Sequence, residues 1–290
     1  MQYPSNVRVA AVQLASSLDK PANLRAVDRA VRQASAAGAD LVVLPEATMA
    51  SFGGQTTDLA PLAEPLDGPF VTALAALAAD TGATVVAGMF EPAPEPEPGS
   101  GERSGRVRNT VVAVGPDGLV GAYRKFHLYD ALGWRESDRI AAGDPAEGVL
   151  VFPVGDLMVG VMNCYDLRFP EMARRLVDAG ATVLVEPAHW VNGPGKADTW
   201  TTLLRARAIE STAYVVAAAK PEPECTGHSM VVDPLGAVVG ELRGDGDGQV
   251  VADLSAAEVT EVRRAIPVLD NRRFAVVPGP SAVRPLPPGR

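Results

Sequence analysis

Short apolar runs alternate along this chain with segments whose apolar residues recur every three or four positions. The runs at residues 7–14, 41–44 and 84–88 predict buried strands, and the spacing over residues 21–37 and 70–79 predicts helices. Alternating strands and helices are typical of the α/β class, so we expect sheets covered by helices.

The alternation resumes after a region rich in turns. Residues 91–108, rich in Pro, Glu and Gly, predict a surface loop between two strands. Residues 110–114 and 119–124 predict a hairpin. The later predicted elements are, in chain order, a strand at 157–162, helix at 170–179, strand at 181–185, helix at 197–211, strands at 214–218, 228–232 and 237–241, and a last strand at 249–254.

Length and composition fit a globular enzyme. The 290 residues can bury a large core as one domain, which we place at 1–275, with a Pro- and Arg-rich tail at 276–290. The formal net charge of −9 argues against nucleic acid or an anionic membrane as partner. The start of the chain lacks a secretory pattern, no apolar run is long enough to span a membrane, and two cysteines cannot form a disulfide framework. We therefore expect a cytoplasmic protein.

The residues that follow the strand at 157–162 are the first candidate for chemistry. Cys164 comes at the end of this apolar run, and a helix signal starts at Pro170. We expect a thiolate to be stabilised at such a position, where a reacting atom can also approach. Cys164 is therefore a candidate nucleophile, although a cysteine in this position can also be a small buried apolar residue.

Two further ionisable residues follow predicted strands. Glu46 comes after the strand at 41–44, and Lys125 comes directly after the hairpin. Strand ends converge at one edge of an α/β sheet, so we expect both side chains near Cys164. A thiol, a carboxylate and an ammonium suit attack on an acyl carbon, with the backbone N–H of Tyr165 as a second oxyanion donor. Taken singly, each charge is more often a surface residue.

Taken together, these segments resemble the catalytic motifs of the nitrilase superfamily of carbon–nitrogen hydrolases. The matching segments are Pro45-Glu46, residues 123–130 (YRKFHLYD), residues 163–171 (NCYDLRFPE), Asn109-Thr110, residues 206–210 (ARAIE) and residues 227–236 (GHSMVVDPLG). The resemblance runs from about residue 7 to about residue 273, with the motifs in the expected order.

The resemblance implies roles for four residues. Glu46 would be the general base, Lys125 would hold the tetrahedral intermediate, and Cys164 would carry the acyl group as a thioester. Glu136 matches a further glutamate that would orient Lys125 or the leaving group. The implied fold is a four-layer α-β-β-α sandwich that pairs into a homodimer or larger homo-oligomer, and no cofactor or metal is implied.

The residues after the cysteine resemble the Nit branch, which includes ω-amidase and deaminated-glutathione amidase. A small carboxamide of a 2-oxo acid is therefore the expected substrate, with water as co-substrate. Arg168 is a candidate for its carboxylate, with a structural ion pair to Asp166 or Glu171 as the alternative. Other expected pocket residues are His189, Trp190 and Trp134.

Other activities stay open on the sequence alone. Within the superfamily, the alternative is an N-carbamoyl amine or amino-acid amidohydrolase. A Cys–His hydrolase would use His189 or His228 as base. A metal-dependent hydrolase has little support because the three histidines are scattered. A catalytically inactive scaffold is the non-enzyme alternative.

Overall fold

The computed structural model describes residues 6–96 and 103–277. Its strands are β1 (Val7–Gln13), β2 (Leu41–Val43), β3 (Thr84–Pro92), β4 (Val107–Gly115), β5 (Gly118–Arg124), β6 (Asp130–Ala131), β7 (Trp134–Arg135), β8 (Val151–Val154), β9 (Leu157–Val161), β10 (Val183–Ala188), β11 (Tyr214–Ala219), β12 (Ser229–Val232), β13 (Val238–Leu242) and β14 (Gly248–Leu254). Its α-helices are α1 (Lys20–Ala36), α2 (Pro69–Thr81), α3 (Pro170–Asp178), α4 (Lys196–Ser211) and α5 (Ala256–Ala265).

The long strands form two six-stranded sheets. The order is β14-β1-β2-β3-β4-β5 in the first sheet and β13-β12-β11-β10-β9-β8 in the second. In each sheet the three inner strands β1-β2-β3 or β9-β10-β11 are parallel, and the outer strands pair antiparallel. The carboxyl ends of the parallel strands therefore lie together at one edge of each sheet.

The sheets pack face to face, and helices cover their outer faces. Val9 and Val43 of the first sheet share a buried cluster with the second sheet, on which α3 and α4 also pack. Ala10 and Val12 point to the opposite face and bury Val31 of α1, together with apolar residues of α2. Because successive strand residues face opposite sides, one strand serves both clusters. The predicted four-layer α-β-β-α sandwich is confirmed.

Some elements differ from the sequence prediction. The strands β3 and β4 extend into the predicted loop at 91–108, since Glu91 pairs with Arg108, and residues 97–102 lie outside the described part of the chain. The strand β8, which contains Pro153, and the helix α5 were not predicted. Nearly all of the predicted tail at 276–290 also lies outside the described residues.

Candidate active site

Strand ends of both sheets deliver the candidate chemical groups. Glu46 lies three residues after β2, and Lys125 follows β5 directly, so both come from the first sheet. Cys164 lies three residues after β9 of the second sheet, at the start of a 3₁₀ helix, Cys164–Arg168. The site therefore forms where the corresponding edges of the two sheets meet.

A buried ion cluster occupies the centre of the site. The Lys125 ammonium nitrogen Nζ lies 2.9 Å from Oε1 of Glu46 and 3.0 Å from Oε2 of Glu136. All three side chains are at most 3% exposed. Glu136 Oε2 also accepts a hydrogen bond of 2.7 Å from the backbone N–H of Tyr129. The Lys125 ammonium thus bridges two carboxylates, and the hydrogen bonds of these carboxylates hold the ammonium in place.

Asn109 joins the two carboxylates from the side. Its amide nitrogen donates to Oε1 of Glu46 at 2.7 Å and to Oε1 of Glu136 at 3.0 Å. Its carbonyl oxygen accepts from the side-chain amide of Asn163 at 3.1 Å, next to the cysteine. The sequence marked Asn109 only as part of the resemblance, and gave no sign that it connects the carboxylates to the cysteine segment.

Strained backbone positions aim two of the groups. Ala47, next to Glu46, and Cys164 itself have φ of 53° and 54°, a region that costs residues with a side chain about 1–3 kcal/mol. The turn at Ala47 packs on Gly88 of β3, where an added Cβ would lie 2.4 Å from the Ala47 nitrogen. Glycine at position 88 therefore allows the base-bearing turn to approach the sheet.

Asp166 holds the segment that follows the cysteine. Its fully buried carboxylate accepts from the Tyr123 hydroxyl at 2.7 Å and from the backbone N–H of Asn163 at 3.0 Å. The ring nitrogen Nδ1 of His127 lies 2.7 Å from its other oxygen. These bonds connect the 3₁₀ helix that begins at Cys164 to the end of β5, so they fix the cysteine relative to the first sheet.

A cavity of about 190 Å³ opens onto this cluster. The structure places every site residue predicted from the sequence in its wall: Glu46, Lys125, Trp134, Glu136, Cys164, Tyr165, Arg168, His189 and Trp190. Phe52, Tyr129, Lys196 and Glu224 also line the cavity and were not predicted. The size suits a small molecule.

Electrostatics set the charge states of the ion cluster. Burial alone would raise the pKa of Glu46, but the adjacent Lys125 ammonium and its hydrogen bond outweigh burial and lower that pKa to about 2. Burial would likewise lower the pKa of Lys125, but the carboxylates of Glu136 and Glu46 raise it well above its usual value. At neutral pH the pair is therefore ionised.

The cysteine is protonated in this resting site. Burial, followed by the negative charge of Glu46, raises the pKa of the Cys164 thiol well above its usual value, and Lys125 offsets this only in part. The expectation that the end of the strand stabilises a thiolate is therefore wrong for the resting state. The carboxylate of Glu46 acts on the thiol closely enough to raise its pKa, and it is the group that can accept the thiol proton.

The histidines have other partners. Burial and the nearby Lys220 lower the pKa of His189 to about 3, so its ring is neutral. The backbone N–H of His189 donates to Oε2 of Glu46 at 2.9 Å. His228 pairs with Glu241, away from the residues that line the cavity. This geometry favours Glu46 over either histidine as the base. Within residues 6–96 and 103–277, no group of three or more His, Cys, Asp or Glu side chains is placed to hold a metal ion.

Arg168 lies in the cavity wall without an acidic partner in the described part of the chain. It forms no ion pair with Asp166, which is engaged by other donors, and none with Glu171. The guanidinium carbon lies 4.9 Å from the centre of the Trp190 ring. The alternative of a structural ion pair is therefore wrong, and the guanidinium is available to a ligand.

Known proteins resemble this chain along most of its length. The sequence profile described as carbon–nitrogen hydrolase matches residues 8–264. The chain belongs to the carbon–nitrogen hydrolase family. This enzyme is 38% identical over 283 residues to Hydrolase Rv0480c of Mycobacterium tuberculosis, with 92% of this chain and 95% of that protein covered.

Two further relatives of this carbon–nitrogen hydrolase carry more specific names. Deaminated glutathione amidase of Escherichia coli O157:H7 is 36% identical over 243 residues, with 84% of this chain and 88% of that protein covered. The crystal structure of Saccharomyces cerevisiae Nit3, a member of the nitrilase superfamily, superposes with a TM-score of 0.79 at 28% identity and covers 93% of this chain and 97% of that one. The predicted resemblance and the hydrolysis of carbon–nitrogen bonds are confirmed. The inactive-scaffold alternative has no support.

Proposed function

We propose that this carbon–nitrogen hydrolase is a thiol amidase whose substrate carries a carboxylate on its acyl part, with deaminated glutathione as the leading candidate. The Arg168 guanidinium carries this proposal, because it faces the cavity of Cys164 without an acidic partner among the described residues. Guanidinium geometry matches a carboxylate. Relatives named deaminated glutathione amidase give the same substrate class.

In the first half-reaction, Cys164 attacks the amide carbon while Glu46 takes the thiol proton. Because the pKa of the thiol is raised, Cys164 is protonated before the substrate binds, so proton transfer to Glu46 accompanies attack. The developing oxyanion is stabilised by the Lys125 ammonium and by the backbone N–H of Tyr165. Glu46 then gives its proton to the leaving nitrogen, the carbon–nitrogen bond breaks, and the acyl group remains on sulfur as a thioester.

The contact between Lys125 and Glu46 explains how a carboxylate with so low a pKa can act as a base. The ammonium lies 2.9 Å from Glu46 in the resting site. As the oxyanion forms, it competes with Glu46 for the same N–H donors. Because Lys125 is the main cause of the low pKa of Glu46, weakening this contact raises that pKa when the carboxylate must hold a proton.

In the second half-reaction, Glu46 takes a proton from water, and the resulting hydroxide attacks the thioester carbon. Lys125 and the Tyr165 N–H again hold the oxyanion. The carbon–sulfur bond then breaks, the carboxylic acid product leaves, and the sulfur recovers the proton from Glu46. Glu136 acts as a positioning residue, since its oxygens lie 3.0 and 3.2 Å from Lys125 Nζ.

The test is formation of 2-oxoglutarate from deaminated glutathione and, in a separate reaction, from 2-oxoglutaramate. Hydrolysis of either substrate yields this product, with cysteinylglycine or ammonia as the other product. We expect product from wild-type protein and none from Cys164→Ala. Absence of product with both substrates would refute the proposed substrate class. Product from Cys164→Ala would refute the proposed nucleophile.

We also propose a homo-oligomer in the cytoplasm. Ile209 of α4, Leu235 and Val239 are large apolar residues that are 50%, 56% and 52% exposed. Ile209 lies beside Gly236, the neighbour of Leu235, and adjoining exposed apolar residues are typical of subunit contacts. Both cysteines are free, in keeping with a reducing compartment. Within the described residues no helix is long and apolar enough to cross a membrane. The molar mass of the protein, measured by light scattering as it elutes from a size-exclusion column, tests the proposed assembly. The mass of a single chain would contradict it.

A further inference from the structure

A second cation lies in the same cavity wall as Arg168. Lys196 is the first residue of α4, and its Nζ lies 5.5 Å from the centre of the Trp190 ring. The indole N–H of Trp190 donates to the backbone carbonyl of Lys196 at 3.1 Å, so the ring and the start of the helix are held together. Arg168 contacts the same ring at 4.9 Å. The two charges are therefore no farther apart than the sum of these distances, within the reach of one small molecule.

The two cations come from different elements. Arg168 ends the 3₁₀ helix that begins at Cys164, so it belongs to the segment on which the acyl group would remain. Lys196 belongs to the next helix along the second sheet and contacts the loop that follows Lys125. Its Nζ lies 3.4 Å from the hydroxyl of Tyr129 and 5.3 Å from the centre of that ring.

Neither cation is neutralised by the described protein. Lys125, in contrast, has two carboxylates within hydrogen-bond distance. The other carboxylate in the cavity wall, that of Glu224, lies 3.4 Å from Nε2 of His189, is 57% exposed and forms no ion pair with Arg168 or Lys196. Two positive charges beside one indole ring repel each other, and a single carboxylate balances only one of them. Full compensation takes two negative charges from the ligand.

We propose that Lys196 is a specificity-determining residue that binds a second carboxylate, on the leaving-group side of the scissile amide. Arg168 binds the carboxylate of the acyl part, and Lys196 binds one on the departing amine. The substrate class is then an amide with a carboxylate on each side of the carbon–nitrogen bond. Deaminated glutathione has this arrangement, with the oxo-acid carboxylate on one side and the glycine carboxylate on the other. This inference rests on the proposed function and narrows it.

The test compares two substrates that share an acyl part. The leaving group of deaminated glutathione carries a carboxylate, and that of 2-oxoglutaramate is ammonia. We expect Lys196→Met to raise the KM for deaminated glutathione by about tenfold to hundredfold, the loss of one charge-assisted hydrogen bond, and to leave the KM for 2-oxoglutaramate unchanged. Arg168→Met is expected to raise both KM values, and Lys196→Arg to restore most of the selectivity.

Equal effects of Lys196→Met on both substrates would overturn the inference, because both cations would then hold one carboxylate. No effect on either substrate would also overturn it. Arg25→Gln, on the exposed face of α1 and outside the cavity wall, removes the same charge and is expected to change neither KM.

A binding measurement decides the question even if neither substrate is turned over. Calorimetry on Cys164→Ala protein compares N-glutaryl-alanylglycine, which has two carboxylates at the spacing found in deaminated glutathione, with glutaramate, which has one. We expect the two-carboxylate ligand to bind more tightly, and Lys196→Met in this background to remove that advantage only. Equal affinities, or no binding of either acid at millimolar concentration, would overturn the inference.

Discussion

Replacing Lys125 with methionine keeps the length of the side chain and removes the cation between two buried carboxylates. In the native site, Lys125 Nζ lies 2.9 Å from Glu46 and 3.0 Å from Glu136. The pKa of Glu46 is about 2, against an ordinary value of 4.5, a difference that corresponds to about 3 kcal/mol in favour of the ionised form. Without the cation the two carboxylates cannot both stay ionised, and one takes up a proton.

The loss of stability is expected to depend on pH. In the native protein the pKa of Glu46 is depressed, so its contribution to stability is present above about pH 4.5 and is lost as pH falls towards 2. In Lys125→Met the pKa of a carboxyl is raised, so this variant loses stability as pH rises. We expect the variant to be less stable than wild type by about 3–5 kcal/mol at pH 7.5, and by clearly less at pH 4.

Urea unfolding at both pH values, with kcat/KM measured alongside, checks this prediction. Turnover is expected to fall by about a hundredfold to a thousandfold, and the residual activity is expected to decline as pH drops through the raised pKa of Glu46. Lys20→Met is the matched control, because Lys20 pairs with Glu64 at 2.6 Å outside the cavity wall. The side chains of this pair are 28% and 12% exposed, so its loss is expected to cost less than the loss of the fully buried Lys125 cluster. Equal destabilisation by Lys125→Met at the two pH values, or equal losses in both variants, would refute the reasoning.

Two substitutions and one labelling experiment test the positions of the backbone and the thiol. Gly88→Ala places a Cβ 2.4 Å from the nitrogen of Ala47, so we expect a loss of about 1–3 kcal/mol in urea unfolding and a lower kcat; unchanged values would contradict the close approach. Asp166→Asn weakens the bonds that hold the segment after Cys164, so we expect the protein to be less stable by about 2–3 kcal/mol and turnover to fall. A melting temperature equal to that of wild type would contradict this expectation. Iodoacetamide is expected to label Cys164 well before the fully buried Cys225. The labelling rate of Cys164 is expected to keep rising above pH 9, because the pKa of its thiol is raised. A plateau of that rate near pH 7 would mean that the thiolate is already formed.

Local patterns in the sequence predicted most elements of this fold. Apolar runs predicted the boundaries of most inner strands to within a few residues, because a strand buried on both faces has a continuous apolar sequence. The strand β8 was missed since Pro153 interrupts its run, and prolines are confined to sheet edges such as this one. The helix α5 was missed although Ser255 and Glu258 form a helix-start pattern, and the serine oxygen does accept from the Glu258 N–H.

The site was predictable where the chemistry sits in short motifs. Glu46, Lys125 and Cys164 each follow a strand, so the sequence alone predicted that they lie close together, although the expected single sheet edge is wrong and the groups come from two sheets. The link through Asn109 was not predictable, because Glu46 is 63 residues away and their contact depends on how the strands assemble. Lys196 was missed for a similar reason, since a lysine at a helix start is ordinary until Trp190 is seen beside it. The protonated state of the thiol depends on burial, which motifs do not report.

The proposed base and nucleophile belong to different sheets. Glu46 and Lys125 extend from one layer of the sandwich and Cys164 from the other, so their separation depends on how the layers lie against each other and on the bonds of Asp166 and Asn109 between them. A small sliding of one layer over the other would disconnect thiol from base while leaving each sheet and each side chain intact. The turnover number therefore depends on the alignment of the two sheets. Substitutions between the layers, far from the cavity, are expected to lower kcat before they weaken substrate binding.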